Sequence, residues 1–288
     1  MAAEFPINVS DSIRHRTGPL RVGLFGAGRV AGQLGPALVA SGHAVVFVWS
    51  RRSATAAALA VTFPGTAVLT DLTAPPPADV YLLAVPDAAV APLLAAVAWP
   101  AGALVAHLAG ALPLAIFRAW PEVQGGVMYP LQTFSTGRLV DWAALPLCVE
   151  AADAKAQAVL LALAGSLSSD VRLLVSADRL RLHVAAVFAN NFTNHLLGIA
   201  DALLAEAGLP ATLLAPLVRE TVDKALATGA PFGVQTGPAA RRDALTLGAH
   251  RAALDAHPVW LAVYNQLTIS IQAQLPSAAE SDGDLSQL

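Results

Sequence analysis

Lysine and cysteine are both scarce in this chain of 288 residues. Cys148 is the single cysteine, so an internal disulfide is excluded, and its apolar neighbours predict a buried thiol in a reducing compartment. Lys155 and Lys224 are the two lysines. An excess of charge is lacking as well, because 17 basic residues stand against 20 acidic ones. This balance argues against nucleic acid or an anionic membrane as a partner.

The sequence also lacks an uninterrupted stretch long enough to cross a membrane. No charged residue lies between Asp87 and Arg118, but Pro92, Pro100 and Pro113 divide this stretch into segments shorter than the roughly 20 residues that a span requires. The stretch fits a helix, a turn and a buried strand. The N-terminal sequence MAAEFPINVSDSIRHR lacks the apolar centre of a secretory signal. We therefore predict a soluble, cytoplasmic protein.

A glycine-rich turn connects the first apolar strand, near residues 20–25, to a helix that ends near Gly42. It has the pattern G-x-G-x-x-A and reads Gly26-Ala27-Gly28-Arg29-Val30-Ala31. Gly26 permits the tight bend, Gly28 leaves space for a pyrophosphate, and Ala31 lets the helix lie close to the sheet. The unpaired N–H groups at the start of the helix favour phosphate. The turn predicts a dinucleotide site, and the alternative is a turn without a ligand.

The end of the second predicted strand, residues 44–49, indicates which dinucleotide is bound. A site that prefers NAD carries a carboxylate there for the ribose 2′-hydroxyl, whereas this chain has Ser50, Arg51 and Arg52. Two guanidinium groups suit a 2′-phosphate because each offers a rigid fork of donors. We predict NADP as the cofactor. The alternative is that both arginines are ordinary solvated charges at a helix start.

Strands and helices alternate along the first part of the chain. Further buried strands are predicted near residues 67–70, 79–85, 103–108, 125–130, 147–150 and 171–175. Near-continuous apolar strands separated by helices predict an α/β fold with a doubly wound, mainly parallel sheet. Ligands of such sheets bind beyond the carboxyl ends of the strands. Ser50, Pro86, His107 and Tyr129 fall at such ends. The predicted cofactor-binding residues are Gly26, Gly28, Arg29, Val30, Ser50, Arg51, Arg52, Val85 and Pro86.

The strand pattern stops near residue 176. Helices are predicted at residues 178–207, 210–228, 238–254 and 258–274. We therefore predict a nucleotide-binding domain at 18–176 and an all-α domain at 177–276, with polar tails at 1–17 and 277–288.

A polar stripe follows the first helix of the second domain. At the rotation of an α-helix its members fall within about 60° of one another: Arg179, His183, Asn190, Asn194 and Asp201. The remaining faces are apolar, which predicts a buried helix whose stripe faces a partner, a wet cavity or a ligand in a cleft between the domains. His183 is a candidate proton donor, and Asn190 and Asn194 are candidates to orient a substrate. Alternatively, these side chains form hydrogen bonds with one another or with a neighbouring helix across a subunit interface.

Two further positions carry candidate polar groups. His107, at the end of the fifth strand, is a second catalytic candidate near the expected position of a nicotinamide, but a core histidine is as common at such a site. The segment 236–243 reads TGPAARRD and predicts a helix start with a cap and an early proline. Arg241 or Arg242 there could hold a substrate carboxylate, although a surface position fits better.

Several segments together resemble the Rossmann-like proteins that carry the DUF2520 domain. They are GLFGAGRVAGQL, LLAVPDAAV, HLAGAL, YPLQTFS, DRLRLHVAAVFANNFTNHL and TGPAARRD, in that order between residues 20 and 274. The chain is more distantly similar to pyrroline-5-carboxylate reductases, F420-dependent NADP reductases and the wider 6-phosphogluconate dehydrogenase-like superfamily. The resemblance implies an NADP-binding domain, a helical domain like the C-terminal part of that superfamily, and a homodimer formed through the helices.

The sequence departs from these relatives at three places. Tyr129 stands where the family pattern has His and Ala109 where it has Ser, so the resemblance gives neither position a catalytic duty. The β-hydroxyacid dehydrogenases of the superfamily use a lysine on the first long helix, which this chain lacks. That absence argues against a β-hydroxyacid substrate.

These observations predict an NADP-dependent oxidoreductase that reduces a small carbonyl or imine compound, without a metal. The first alternative is a non-catalytic module that binds NADP as a sensor or to hold a partner. The second is a β-hydroxyacid dehydrogenase.

Overall fold

The computed structural model describes residues 18–274, so the predicted tails lie outside the described residues. Within this range eight strands form one sheet. They are β1 (Arg21–Phe25), β2 (Ala44–Trp49), β3 (Ala67–Val68), β4 (Val80–Leu83), β5 (Ala103–His107), β6 (Val123–Pro130), β7 (Leu147–Ala151) and β8 (Val171–Leu173).

The strand order is β3-β2-β1-β4-β5-β6-β7-β8. Neighbouring strands are parallel throughout, except for β6 and β7, which are antiparallel. The chain winds in one direction from β1 to β3 and in the other from β4 onward, so the order reverses between β1 and β4. Ligands of open α/β sheets bind at this kind of reversal. The predicted fold class, a doubly wound and mainly parallel sheet followed by helices, is confirmed.

Residues 18–274 contain nine α-helices, and the first four of them cover the two faces of the sheet. Their bounds are α1 (Arg29–Ala40), α2 (Ser53–Ala60), α3 (Asp87–Ala96), α4 (Ala154–Leu167), α5 (Ser176–Ala186), α6 (Thr193–Glu206), α7 (Ala215–Thr228), α8 (Ala244–Ala253) and α9 (Pro258–Ala273). Successive strand residues point to opposite faces, so Leu24 packs with α1, α2 and α4, whereas Phe25 packs with α3. Both faces of the sheet are therefore buried, which explains the continuous apolar strands of the sequence.

The chain divides into two compact units, the first ending at Phe192 and the second beginning at Thr193. The sequence placed the boundary at residues 176/177, where the strands end. The first unit extends further because α5 is attached to the sheet through Arg179 and His183. Three short 3₁₀ helices complete the described secondary structure, at Leu114–Ala119, Ala211–Leu214 and Pro231–Val234.

Three of the predicted helices differ from the structure. The helix predicted at 210–228 consists of the 3₁₀ helix at Ala211–Leu214 and α7. The helix predicted at 178–207 consists of α5, a π-helical segment at Val187–Phe192 and α6. The helix predicted to begin at Pro238 begins at Ala244 instead, because Arg242 adopts a positive φ of 54° and the Asp243 carboxylate caps the first turn.

The expectation that the helix after residue 178 is buried was wrong for the single chain. Its apolar side chains are largely exposed: Leu180, Val184, Phe188, Phe192, Leu196 and Leu197. α7 likewise exposes Leu217, Val222 and Leu226.

Among residues 18–274, no helix is both long and apolar enough to cross a membrane. A cytoplasmic location stays a prediction.

Candidate dinucleotide site

Gly26 forms the bend between β1 and α1, and no other residue type fits its position. Its φ is +118°, a conformation that side chains with a Cβ rarely adopt, and a Cβ there would lie 2.1 Å from the Ala84 carbonyl oxygen. The backbone is tied on both sides, since Gly26 N–H donates to the Trp49 carbonyl at 2.7 Å and Ala84 N–H to the Phe25 carbonyl at 2.7 Å. The turn is therefore packed directly against the end of β4.

Gly28 is the N-cap of α1 and leaves the start of the helix open. No side chain caps this helix, and a Cβ on Gly28 would meet no atom within 4 Å. The free N–H groups of the first turn and the helix dipole thus face a space that an anion can enter. Ala31, one turn on, is fully buried against the sheet, as the glycine pattern predicts.

A cavity of about 1100 Å³ lies at the carboxyl ends of β1, β2 and β4. Its lining includes seven of the nine predicted cofactor residues, namely Gly26, Gly28, Ser50, Arg51, Arg52, Val85 and Pro86. The other two, Arg29 and Val30, are the first residues of α1 and do not line the cavity. The structure thus brings the glycine turn and the arginine pair to one cavity.

The lining of the cavity combines polar and apolar groups. Arg51 and Arg52 are exposed, and Thr55, in the first turn of α2, adds a hydroxyl. The apolar lining residues include Trp49, Leu72, Pro92, Leu93 and Ala96. A nucleotide with a flat apolar base and anionic phosphates needs both kinds of group. The apolar residues were not predicted from the sequence, although Trp49 is the last residue of β2 and the strand-end rule could have found it.

His107 is a core residue, which agrees with the second of the two interpretations made from the sequence. Its side chain is fully buried and stacks on Phe117 with a centroid separation of 5.8 Å. The pKa of His107 is lowered to about 3, mainly by burial and to a smaller extent by the Arg179 charge, while the Pro113 backbone opposes both effects. Nδ1 accepts a hydrogen bond from Ala109 N–H at 3.2 Å, so the neutral ring carries its proton on Nε2. A buried, neutral imidazole is poorly suited to donate a proton to a ligand.

The low pKa of His107 predicts that acid destabilises the fold. The unfolded histidine titrates near 6.5 and the folded one near 3, so the stability contributed by the neutral ring is complete above pH 6.5 and declines as the pH falls toward 3. The slope is about 1.4 kcal/mol per pH unit, or about 2 kcal/mol at pH 5. Urea unfolding at pH 7 and pH 5 should show a smaller loss in His107→Gln. Burial lowers the pKa of His43 as well, but His43 is present in both proteins, so its effect on stability cancels in the comparison. Equal losses in both proteins would contradict the prediction.

His183 is paired with Tyr129 at the carboxyl end of β6. The Tyr129 hydroxyl lies 3.1 Å from His183 Nδ1, and the two rings meet edge to face at 5.8 Å. The backbone of Gly110, in the loop after β5, passes beside both rings; a Cβ there would lie 2.5 Å from His183 Nδ1. β4, β5 and β6 are parallel, so the pair lies at the same edge of the sheet as the cavity.

Arg179, one helical turn before His183, anchors α5 to the sheet. Its side chain is 1% exposed, forms an ion pair with Glu150 of β7, and donates to the Leu112 carbonyl. The Glu150 carboxylate also accepts from the N–H of Ser176 at 2.9 Å and from its hydroxyl at 2.8 Å. Arg179 is therefore a structural member of the predicted stripe.

The remaining stripe residues do not join this cluster. Asn190 lies in the π-helical segment and Asn194 is the second residue of α6. Both side chains are exposed, as is that of Asp201. Cys148, opposite Tyr129 on β7, is buried as predicted, and burial raises the pKa of its thiol to about 11. The thiol is therefore protonated and unreactive at neutral pH.

Comparisons with known proteins agree with this architecture. A model of the Rossmann-like domain matches residues 6–133, and the model of the domain of unknown function DUF2520 matches residues 145–271. No functionally curated protein matches the chain.

Solved structures match over nearly the whole chain. A candidate NADP oxidoreductase from Bacteroides fragilis is 36% identical, with 88% of this chain and 98% of that protein covered and a TM-score of 0.81. A reductive aminase from Aspergillus terreus, in complex with NADPH and ethyl levulinate, is 18% identical over 92% and 95% of the two chains, with a TM-score of 0.70. The 1-pyrroline-5-carboxylate reductase of Streptococcus pyogenes is 11% identical over 89% and 100%, with a TM-score of 0.56. The last two share the fold. The matches to both domain models, together with the 36% identity to the Bacteroides fragilis protein, show that this chain belongs to the family of Rossmann-like proteins that carry the DUF2520 domain.

Proposed function

We propose that the protein is an NADP-dependent oxidoreductase that reduces a small carbonyl or imine substrate. The observation that carries the proposal is the cavity of about 1100 Å³ in which the glycine turn and the arginine pair meet. A turn or an arginine pair alone would be weak support, but one cavity that offers both matches the two charged parts of one ligand.

The donors of the cavity fit the phosphates of NADP. The uncapped start of α1 and the open space at Gly28 suit the diphosphate, which approaches the backbone closely. Arg51 and Arg52, with the hydroxyl of Thr55, suit the 2′-phosphate, and no carboxylate lines the cavity to repel it. The apolar lining residues Trp49 and Leu72 suit the adenine ring.

The relatives support the choice of cofactor and reaction class. The Bacteroides fragilis protein is described as a candidate NADP oxidoreductase, and the Aspergillus terreus reductive aminase is in complex with NADPH. We extend the cofactor and the reduction of C=O or C=N bonds to this chain on the strength of its own cavity.

When bound, NADPH would supply a hydride to the electrophilic carbon of the substrate. The residues of this chain supply the other requirements of the reduction. His183 is the proposed proton donor for a carbonyl oxygen, since it lies at the edge of the sheet that carries the cavity. Asn190 and Asn194 remain proposals for orienting the substrate, and Arg179 serves to fix α5.

Replacing Arg51 and Arg52 together by alanine should weaken NADPH binding and leave NADH binding nearly unchanged. Each charge-assisted hydrogen bond that is lost should cost about 1.5–3 kcal/mol, roughly 10- to 150-fold in affinity. Calorimetric titration measures both ligands. Arg21→Ala is the matched control, because Arg21 is an exposed arginine at the opposite end of β1. Equal affinity of the natural protein for NADPH and NADH would contradict NADP as the cofactor.

A substrate panel separates the proposed enzyme from a sensor that binds NADP without turnover. Ketones are offered with and without amines, and short β-hydroxyacids are offered with NADP. NADPH oxidation that is lost in His183→Ala supports the reductase. Tight NADPH binding without turnover of any compound would contradict it and favour the sensor. Oxidation of hydroxyacids would favour a β-hydroxyacid dehydrogenase.

We also propose that the protein is a homodimer formed through its helices. Large apolar side chains are exposed on these helices, with Phe188, Leu217 and Leu226 at 64%, 63% and 76% exposure, and burial against a second copy would remove them from water. Sedimentation should give twice the chain mass of 29.5 kDa. A monomer at micromolar concentration would contradict the dimer.

A further inference from the structure

We propose that Tyr129 is a positioning residue for the proton-donating step, because it holds the imidazole of His183 by Nδ1 and leaves Nε2 as the nitrogen that serves the substrate. This inference rests on the proposed reductase function and adds to it a residue outside the cofactor cavity. Tyr129 does not itself touch the substrate in this account.

The geometry fixes the imidazole from two directions. The Tyr129 hydroxyl is 3.1 Å from His183 Nδ1, while the ring edge of one residue faces the ring plane of the other. The backbone of Gly110 packs against both rings, since a Cβ at that position would come within 2.5 Å of Nδ1 and 3.0 Å of the Tyr129 ring. His183 Nε2, in contrast, has no hydrogen-bond partner among residues 18–274. The ring therefore has one nitrogen held and one nitrogen available.

The helix that carries His183 is fixed independently of Tyr129. Arg179 lies four residues earlier on α5 and is bound to Glu150 and to the Leu112 carbonyl. This anchor sets the rotation of α5, so the backbone of His183 should stay in place when the phenol is removed. Loss of the Tyr129 hydroxyl should then change only the orientation and hydrogen bonding of the imidazole.

The phenol suits this task because it stays protonated. Burial raises the pKa of Tyr129, and the neighbouring Cys148 and Asp87 raise it further, against an opposing effect of Arg179. The oxygen of a neutral hydroxyl can accept from Nδ1–H both when the imidazole is charged and when it is neutral with its remaining proton on Nδ1. Tyr129 can thus hold the same ring position before and after proton transfer.

In the reduction of a carbonyl, bound NADPH would supply the hydride for the new C–H bond, and oxidation of the nucleotide to NADP⁺ would balance reduction of the carbonyl. The Nε2–H bond of the charged imidazole breaks, and its proton forms the O–H bond of the alcohol. The neutral imidazole that remains keeps its proton on Nδ1, bonded to the Tyr129 oxygen. A proton from solvent then restores the charged ring.

The first test uses the protein without cofactor. Histidine labelled with ¹⁵N gives ring signals for the seven histidines, and His183→Ala identifies those of His183. In Tyr129→Phe the Nδ1 signal of His183 should move to the position of an unbonded nitrogen, while the other six histidines stay unchanged. An unchanged Nδ1 signal would overturn the proposal.

The second test measures kcat and KM in parallel. Tyr129→Phe should lower kcat by roughly 10- to 100-fold, less than removal of the acid itself, with little change in KM or in NADPH affinity. In a His183→Ala background the same substitution should have no further effect on kcat. Independent, multiplicative effects of the two substitutions would overturn a role exerted through His183.

Tyr81→Phe is the matched control. Its hydroxyl is also buried, donating to the Pro76 carbonyl and accepting from Ala78 N–H at 3.1 Å each, but it lies at the amino end of the sheet. This variant should lose a similar amount of stability and keep its kcat. A fall in kcat equal to that of Tyr129→Phe would mean a general structural effect and would overturn the proposal. If no substrate is reduced at all, the proposed function fails, while the ¹⁵N signals still decide whether Tyr129 holds His183.

Discussion

Replacing Gly26 by alanine is expected to remove most of the stability of the first unit and NADPH binding with it. The φ of +118° would strain any residue with a Cβ by about 1–3 kcal/mol. The Cβ would also lie 2.1 Å from the Ala84 carbonyl oxygen, and such overpacking costs about 1–3 kcal/mol more. The contact is with backbone, so β4 or the turn itself must move. Urea denaturation followed by circular dichroism measures the loss.

Gly28→Ala provides the matched control for Gly26→Ala. Gly28 has an ordinary φ of −86°, and a Cβ there meets no protein atom within 4 Å. Alanine is a poorer N-cap than glycine, so the expected loss of stability is about 1 kcal/mol or less. NADPH binding should nevertheless weaken, because the new methyl group occupies the space for the diphosphate. A Gly26→Ala protein as stable as Gly28→Ala would contradict the packing described for the turn.

Arg179→Ala should be the second most damaging substitution. It removes the partner of a Glu150 carboxylate that is only 14% exposed, and it leaves the Leu112 carbonyl without its donor. Breaking a buried ion pair from one side costs about 3–5 kcal/mol, because the remaining charge is left without compensation. The two hydrogen bonds from Ser176 to Glu150 place the expectation at the lower end of this range. The free energy of unfolding from urea denaturation measures it.

The double variant Arg179→Met and Glu150→Gln tests whether the cost comes from the unpaired charge. With both charges removed, much of the lost stability should return, because a neutral pair needs less solvation. A double variant as unstable as Arg179→Ala would assign the loss to packing instead. A loss below about 1 kcal/mol in Arg179→Ala would contradict a structural role for the pair.

The sheet was largely predictable because its strands are buried on both faces. Runs such as residues 80–85 are continuously apolar and end at a proline or a glycine, so all eight strands were located from the sequence. The antiparallel pairing of β6 and β7 could not be predicted, since an antiparallel strand buried on both faces has the same apolar pattern as a parallel one. The glycine turn was predictable because each glycine has a distinct steric reason.

The polar stripe was only partly predictable because the helix changes its geometry. A π-helical turn holds more residues than an α-helical turn, so positions beyond Val187 are rotated away from the face calculated for an α-helix. Arg179 and His183 precede this segment and do contact the sheet, whereas Asn190 and Asn194 do not join them. No local feature of the sequence identified the segment.

The partners of the stripe could not be predicted at all. Tyr129 and Glu150 lie 54 and 29 residues from His183 and Arg179, and their pairing depends on the sheet order. The start of α8 was predicted too early. Thr236 and Pro238 have the pattern of a helix start, but Asp243 provides the cap in the structure.

The structure of the protein in complex with NADPH tests the central claim most directly. The account predicts the diphosphate against the N–H groups that open α1 at Gly28, and the 2′-phosphate within hydrogen-bonding distance of the Arg51 and Arg52 guanidinium groups. A complex in which the nucleotide binds elsewhere, or in which both arginines point away from the 2′-phosphate, would contradict it.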